Sequence, residues 1–344
     1  MQRSTSESPP PPVFAKRRRR GLVSAVLVFA VLVAAWAGVW FWAAGWADQQ
    51  AVRTLQELAQ RGVEVDCRDR GVSGFPFALR ITCGETAVAE RSTETKASLA
   101  GVSGGASLFS PMTARVGMTS PARIEAPGAG TAAMTWRNAA LGVGLGMNGP
   151  RDVTFDTAGI EANLSLAEMP VEKVAAVSAE GSLAPSANGG TEVALAFTDL
   201  GVTFAGGALP KVSGTAAGEL SVPPRALLAG RAAMQAPVWA RGIEIALQSG
   251  GAKINVGGEI SVDGDGVIDG QITLRVGGAD KLPAVIAQLP PAWQKHGNAV
   301  AGGLFAFGKA ATLDGEPASE LVVEINRGTA RIGPIEFGLP RVPI

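Results

Sequence analysis

Alternation of apolar and polar residues dominates the second half of the chain. In "TEVALAFTDLGVTFAG" Val193, Leu195 and Phe197 share one side of a period-2 strand, and Val202 and Phe204 follow. In "IEIALQSGGAKINVGGEISVDGDGVIDGQITLRVGG" the pattern repeats. Ile243, Ile245 and Leu247 precede Gly250-Gly251. Ile254 and Val256 precede Gly257-Gly258, and Ile260 and Val262 precede "DGDG". Ile272, Leu274 and Val276 close the series. Short strands separated by Gly or Asp-Gly turns predict an antiparallel meander. "ELVVEINRGTARIGPIEFG" predicts one more hairpin, turning at Asn326-Arg327-Gly328.

Helical periodicity is confined to a few places. "DQQAVRTLQELAQRG" places Val52, Leu55 and Leu58 on one face and stops at Gly62. "ADKLPAVIAQLPPAWQKHG" places Leu282, Val285, Ile286 and Leu289 together before Pro290-Pro291 breaks the run. A weaker helix over Pro223–Met234 divides the β-rich region into halves of 62–222 and 235–344. A sheet with one apolar face must bury or cover it. The expected fold is therefore mainly β: a curved antiparallel sheet, as a trough or a sandwich, with one or two packed helices.

The N-terminus breaks this pattern. Residues 21–47 carry no charge, and a bilayer needs about 20 apolar residues to be crossed. Lys16, Arg17, Arg18, Arg19 and Arg20 precede the run, and Trp36, Trp40, Trp42 and Trp46 gather at its far end, as at an interface. The positive-inside rule then puts a 1–20 arm in the cytoplasm and everything after Ala47 outside. A cleaved signal peptide has a shorter apolar stretch, about 7–15 residues, before a small-residue cleavage site. An uncleaved transmembrane helix over 21–47, continued by a stalk helix over 48–61, is the expectation. A buried core helix fits poorly beside a basic cluster. The address is the bacterial inner membrane, single pass, with a periplasmic domain over 62–344.

Composition adds two constraints. The chain is 47% hydrophobic and only 17% charged, with 45 Gly, no Tyr and one His. Its net charge is zero, but Arg3 and the basic cluster against Glu7 give the first twenty residues +5, which leaves the body at −5. An acidic body argues against nucleic acid.

Cys67 and Cys83 are the only cysteines. Outside the cytoplasm a disulfide is the default. A metal site needs more ligands, and the sole histidine, His296, is far away in sequence. A reactive thiol needs an activating neighbour, a role open to Arg68 and Arg70. A bridge needs Cα atoms within about 7 Å. A hairpin centred on Phe75, between Gly74 and Pro76, sets the two cysteines opposite each other. Phe77, Leu79, Ile81 and Cys83 then share a face.

Other motifs fail on inspection. "GLFAFGKA" (Gly303–Ala310) has the spacing of a phosphate loop, but Ala310 stands where a hydroxyl must hold magnesium, and Leu304–Phe307 reads as a strand. "GLGMNG" (Gly144–Gly149) leads into Pro150 and the strand-like "RDVTFD", where a dinucleotide motif requires a helix. "DGDGVID" (Asp263–Asp269) has Val267 at a position a calcium loop gives to an oxygen ligand, so it reads as a hairpin turn. His296 follows the Leu282–Leu289 helix as a solvated end. Asn163-Leu164-Ser165 is a glycosylation sequon in letters only. No catalytic, cofactor or metal residues are assigned, and the chain is not expected to be an enzyme.

The order of segments resembles a known family. A basic arm and one membrane helix are followed by "C…GFPF…C", then "ASLFSPMTARVGMTSPARIEAP", "MTWRNAALGVGL" and "RGTARIGPIEFGLPRVP". Together these resemble the bacterial domain-of-unknown-function family DUF2125. Gly74–Phe77, Ser110-Pro111, Ser120-Pro121 and the terminal "GPIEFG" carry the likeness. It implies an exported, membrane-anchored protein and assigns no activity. The glycine-punctuated strands are also similar in pattern to AsmA-type envelope proteins, whose sheets form apolar troughs thought to carry lipid.

The sequence thus points to a non-enzymatic, anchored envelope protein. It is expected to bind an apolar or lipid ligand over Val193, Leu195, Phe197, Ile272, Leu274 and Val276. The alternative is a structural or interaction module whose sheet is filled by its own helices. The bilayer is the one assigned partner, and no cofactor is expected.

Overall fold

The computed structural model describes residues 17–146, 149–167, 171–204, 207–229, 237–289 and 291–342. The N-terminal arm therefore lies largely outside the described residues. Helix α1 (Arg17–Gln60) contains the apolar run and the stalk as one continuous element, and it is long and apolar enough to cross a membrane. Gly62, at φ 88, turns the chain out of it.

Every strand that follows joins a single antiparallel sheet. The first part comprises β1 (Val63–Cys67), β2 (Gly71–Ser73), β3 (Ala78–Cys83), β4 (Thr86–Glu90), β5 (Thr95–Ser107) and β6 (Ser110–Ala126). β7 (Gly130–Thr135), β8 (Asn138–Gly146), β9 (Gly149–Leu166), β10 (Val171–Pro185), β11 (Thr191–Phe204), β12 (Gly207–Ala208) and β13 (Val212–Leu220) continue it. After helix α2 (Pro224–Ala229) come β14 (Val238–Ser249), β15 (Ala252–Val262) and β16 (Ile268–Gly277). Helices α3 (Leu282–Ile286) and α4 (Pro291–Phe307) precede β17 (Lys309–Leu313), β18 (Glu316–Asn326), β19 (Thr329–Ile332) and β20 (Ile335–Gly338). β13 pairs directly with β14, so the sheet is continuous past α2.

Turn chemistry explains the meander. Gly250 and Gly251, both at positive φ, link Ser249 to its partner Ala252. Arg327 and Gly328 do the same between Asn326 and Thr329. Two successive positive φ values are what a two-residue hairpin of matching twist requires. In the turn between β15 and β16, the Asp263 carboxylate accepts bonds from the backbone of Asp265 and Val267. "DGDGVID" is therefore a hairpin turn.

The two cysteines are bridged, with Cα atoms 5.3 Å apart. The expected register is not the one formed. A hairpin centred on Phe75 would set Gly71 opposite Leu79, whereas Gly71 pairs with Thr82. Cys67 instead ends β1, opposite Thr86 of β4. The chain breaks between β1 and β2, with Asp69 at φ 50, and Arg68 bonds Gly84 and Glu85 through its backbone. The bridge thus ties β1 to the end of β3 across this break.

A second correction concerns Leu304–Phe307. These residues form the last turns of α4 and not a strand. Leu304 is only 1% exposed, against Val276 and Leu321. Gly297 permits the approach of α3, since a methyl group there would sit 3.2 Å from Ile286. Helix packing on the sheet overrides the strand-like letters. His296 follows α3 but lies within α4 and not at a helix end; its side chain is outside the described residues.

At the opposite end of the sheet α1 is fixed to the turn before β3. The Trp36 indole donates to the Pro76 carbonyl at 3.1 Å, and Trp40 donates to the Ala78 carbonyl at 2.9 Å. Phe75 meets Trp40 edge-on and stacks with Phe41. Asp48 pairs with Arg70 at 2.8 Å.

Candidate functional site

Directly paired residues of an antiparallel sheet project to the same face. One row can therefore be followed from strand to strand. Val72, Ile81, Gly104, Val116, Leu141 and Phe155 are successive partners on β2, β3, β5, β6, β8 and β9. The row continues through Gly181, Leu195, Ala216 and Ile245, then Val256, Leu274 and Leu321. It crosses thirteen strands without a polar side chain.

The neighbouring rows on this face have the same character. Leu79, Ala106, Ala114, Val143, Val153, Leu183 and Val193 form one. Phe197, Gly214, Leu247, Ile254 and Val276 form another. Ile243, Gly258, Ile272 and Val323 extend the first beyond an irregularity in β13 and β14. The six residues singled out in the sequence, Val193, Leu195, Phe197, Ile272, Leu274 and Val276, therefore lie in three adjacent rows of one face.

One residue along each strand, the opposite face is polar. Thr82, Ser103, Asp156, Glu180, Thr215, Asn255, Arg275 and Glu320 belong to one of its rows. Arg275 pairs with Glu320 at 2.7 Å, and Asn138 donates to Asp156 at 2.8 Å. Gln248, Lys253 and Asp314 are on the same side, and Lys253 holds Asp314 at 3.2 Å. That contact raises the Lys253 pKa, against a smaller lowering by burial.

Cover is uneven on the apolar face. α3 and α4 lie over the β16–β18 end, where Val276 is 3% and Leu321 6% exposed. Phe204 is buried beside the Trp293 ring at 5.6 Å. Farther along, Phe155 and Leu195 are each 38% exposed. So Val276 belongs to a filled core, while Val193, Leu195 and Phe197 belong to an open surface. It is a face and not an enclosed cavity. A shallow cleft of about 470 Å³ includes Phe155, Gly181, Leu195 and Ala216, and another of about 740 Å³ is elsewhere, among Glu90, Arg91, Glu94, Lys96 and Glu125 at the far edge.

Sequence reasoning did not select Ile81, Val116, Leu141 and Phe155. In that half Gly and Ala fill many inward positions, so the apolar alternation is weak. Phe155 in "RDVTFD" is the aromatic residue of that row and the clearest signal it carries.

Three comparisons bear on identity. The model of a family described as an uncharacterized protein conserved in bacteria, DUF2125, matches residues 40–339. No curated protein and no solved structure matches the chain.

Proposed function

We propose that this chain, which belongs to the bacterial DUF2125 family, is an anchored, non-catalytic envelope protein that holds an apolar ligand, a lipid acyl chain, on the open part of its apolar face. The observation carrying this reading is the thirteen-strand apolar row, left half-exposed at Phe155 and Leu195. Burying such side chains is worth about 25 cal/mol per Å². An extended hydrocarbon chain matches a long, uncharged strip better than a compact polar metabolite does.

The N-terminus supports the setting of this reading. α1 anchors the chain in the bacterial inner membrane, the basic residues Lys16–Arg20 keep the arm in the cytoplasm, and the sheet lies in the periplasm. The Cys67–Cys83 bridge supports an oxidising compartment. The task is envelope maintenance through lipid binding.

The test uses the full chain in bacterial cells labelled with radioactive phosphate. A photoreactive phenylalanine analogue replaces Leu195 or Phe155 on the apolar face, or Asp156 or Ala196 on the polar face. Radioactive lipid adducts at Leu195 and Phe155 but not at Asp156 and Ala196 are expected. Adducts on both faces alike, or none, would refute the reading. A second reading, an interaction module, is favoured by the self-filled end at Val276, Leu304 and Leu321. It predicts protein adducts at Leu195 in place of lipid.

A further inference from the structure

We propose that the hairpin tips beside α1 insert into the leaflet from which α1 emerges, so that the apolar face opens directly into the bilayer. The proposal rests on α1 spanning the membrane and not on any ligand held by the face.

Depth is the first argument. Residues 21–47 are uncharged and span about 40 Å as helix, against about 30 Å of hydrocarbon. The shallowest placement for the sheet sets Arg20 at the inner boundary. The hydrocarbon then ends near Trp40, and Trp36 still lies about 6 Å inside it. With Asp48 at the outer boundary, Trp36 lies about 18 Å inside. Trp36 is bonded to the Pro76 carbonyl, and Phe75 rests on Trp40 and Phe41. The turn before β3 therefore meets hydrocarbon in either placement. The two indoles also satisfy backbone carbonyls of Pro76 and Ala78, which lipid could not.

Composition of the tips is the second. Phe77 and Phe109, from neighbouring turns, have ring centroids 5.7 Å apart, and the Leu108 amide donates to the Phe77 carbonyl. Phe77, Leu108 and Met112 are exposed, and Phe109 is 78% exposed. Four large apolar side chains at one edge would be costly in water and are at home in lipid.

Charge is the third. Leaving the tips along β3, β6 and β9, the first charged residues are Arg80, Arg115 and Arg151. Along β2 it is Arg70. All four are cations, although Arg151 also meets Asp152 and Arg70 meets Asp48. Arg80 and Arg115 both pair with Gly105 in one row, so they sit close behind the tips. Cations directly behind an uncharged edge suit anionic headgroups.

The experiment uses the full chain in vesicles of phosphatidylethanolamine and phosphatidylglycerol. An environment-sensitive fluorophore is attached at Phe109→Cys, and in a control at Ser92→Cys on the opposite edge. Expected is loss of most emission at 109 to doxyl-labelled lipid with no effect of iodide, and the reverse at 92. Quenching at 109 by iodide would overturn insertion. Shielding from both quenchers would also overturn it, in favour of a protein cover such as a second copy. Lipid adducts at Leu195 with iodide access at 109 would keep the ligand reading and sink insertion alone.

Discussion

The Phe155 ring lies over Gly181, its register partner: a methyl group at Gly181 would come 2.3 Å from Cε1 of that ring. Phe197 covers Gly214 similarly, with Cζ 3.1 Å from the same imagined methyl. Each ring shields a bare backbone position on the apolar face, as aromatic residues do for strand glycines.

Gly181→Ala should therefore lift the Phe155 ring and destabilise the protein by about 1–3 kcal/mol. Gly302→Ala, in α4 with open space around it, should stabilise by up to about 1 kcal/mol through helix propensity. Urea unfolding of the two variants checks the opposite signs.

Loss of the Cys67–Cys83 bridge should cost about 3 kcal/mol by loop entropy, for a sequence separation of 16. Thermal unfolding of the oxidised and reduced protein measures this directly. An unchanged midpoint would show that the β1–β4 and β2–β3 pairings hold this corner by themselves.

Leu304→Ala should cost about 2–5 kcal/mol, because Leu304 fills the space between Val276 and Leu321. Phe305→Ala, at an exposed position on the same helix, should stay within about 0.5 kcal/mol. Equal losses in equilibrium unfolding would mean that α4 packs by a different face.

Hydrogen bonding from the Ser186 hydroxyl, and then from the Asn188 amide, holds the Glu219 carboxyl below its ordinary value. The folded state then favours the ionised form. Its contribution is complete above the unfolded carboxyl pKa and is lost as pH falls through the lower folded value. Glu219→Gln should lower the melting temperature at neutral pH and converge with the unmodified chain in acid. Parallel curves across that range would exclude the effect.

Legibility in the sequence followed side-chain size. Val193, Leu195 and Phe197 declared their strand because large residues alternate there. In β5, "GVSGGAS" hid the same face behind Gly104 and Ala106. Leu304–Phe307 misled because four apolar-looking letters have no period of their own; the helix exists through what Leu304 and Gly297 touch.

The sequence by itself determined the long apolar helix, the bridge and the alternation, because each is a local or compositional property. The tertiary structure decided three other things. Register joined thirteen separate alternations into one apolar row. The placement of α3 and α4 covered Val276 and left Leu195 open. Trp36 reached Pro76, bringing the sheet edge to the level of the helix's apolar span. These depend on pairing between distant residues, which no window along the chain contains.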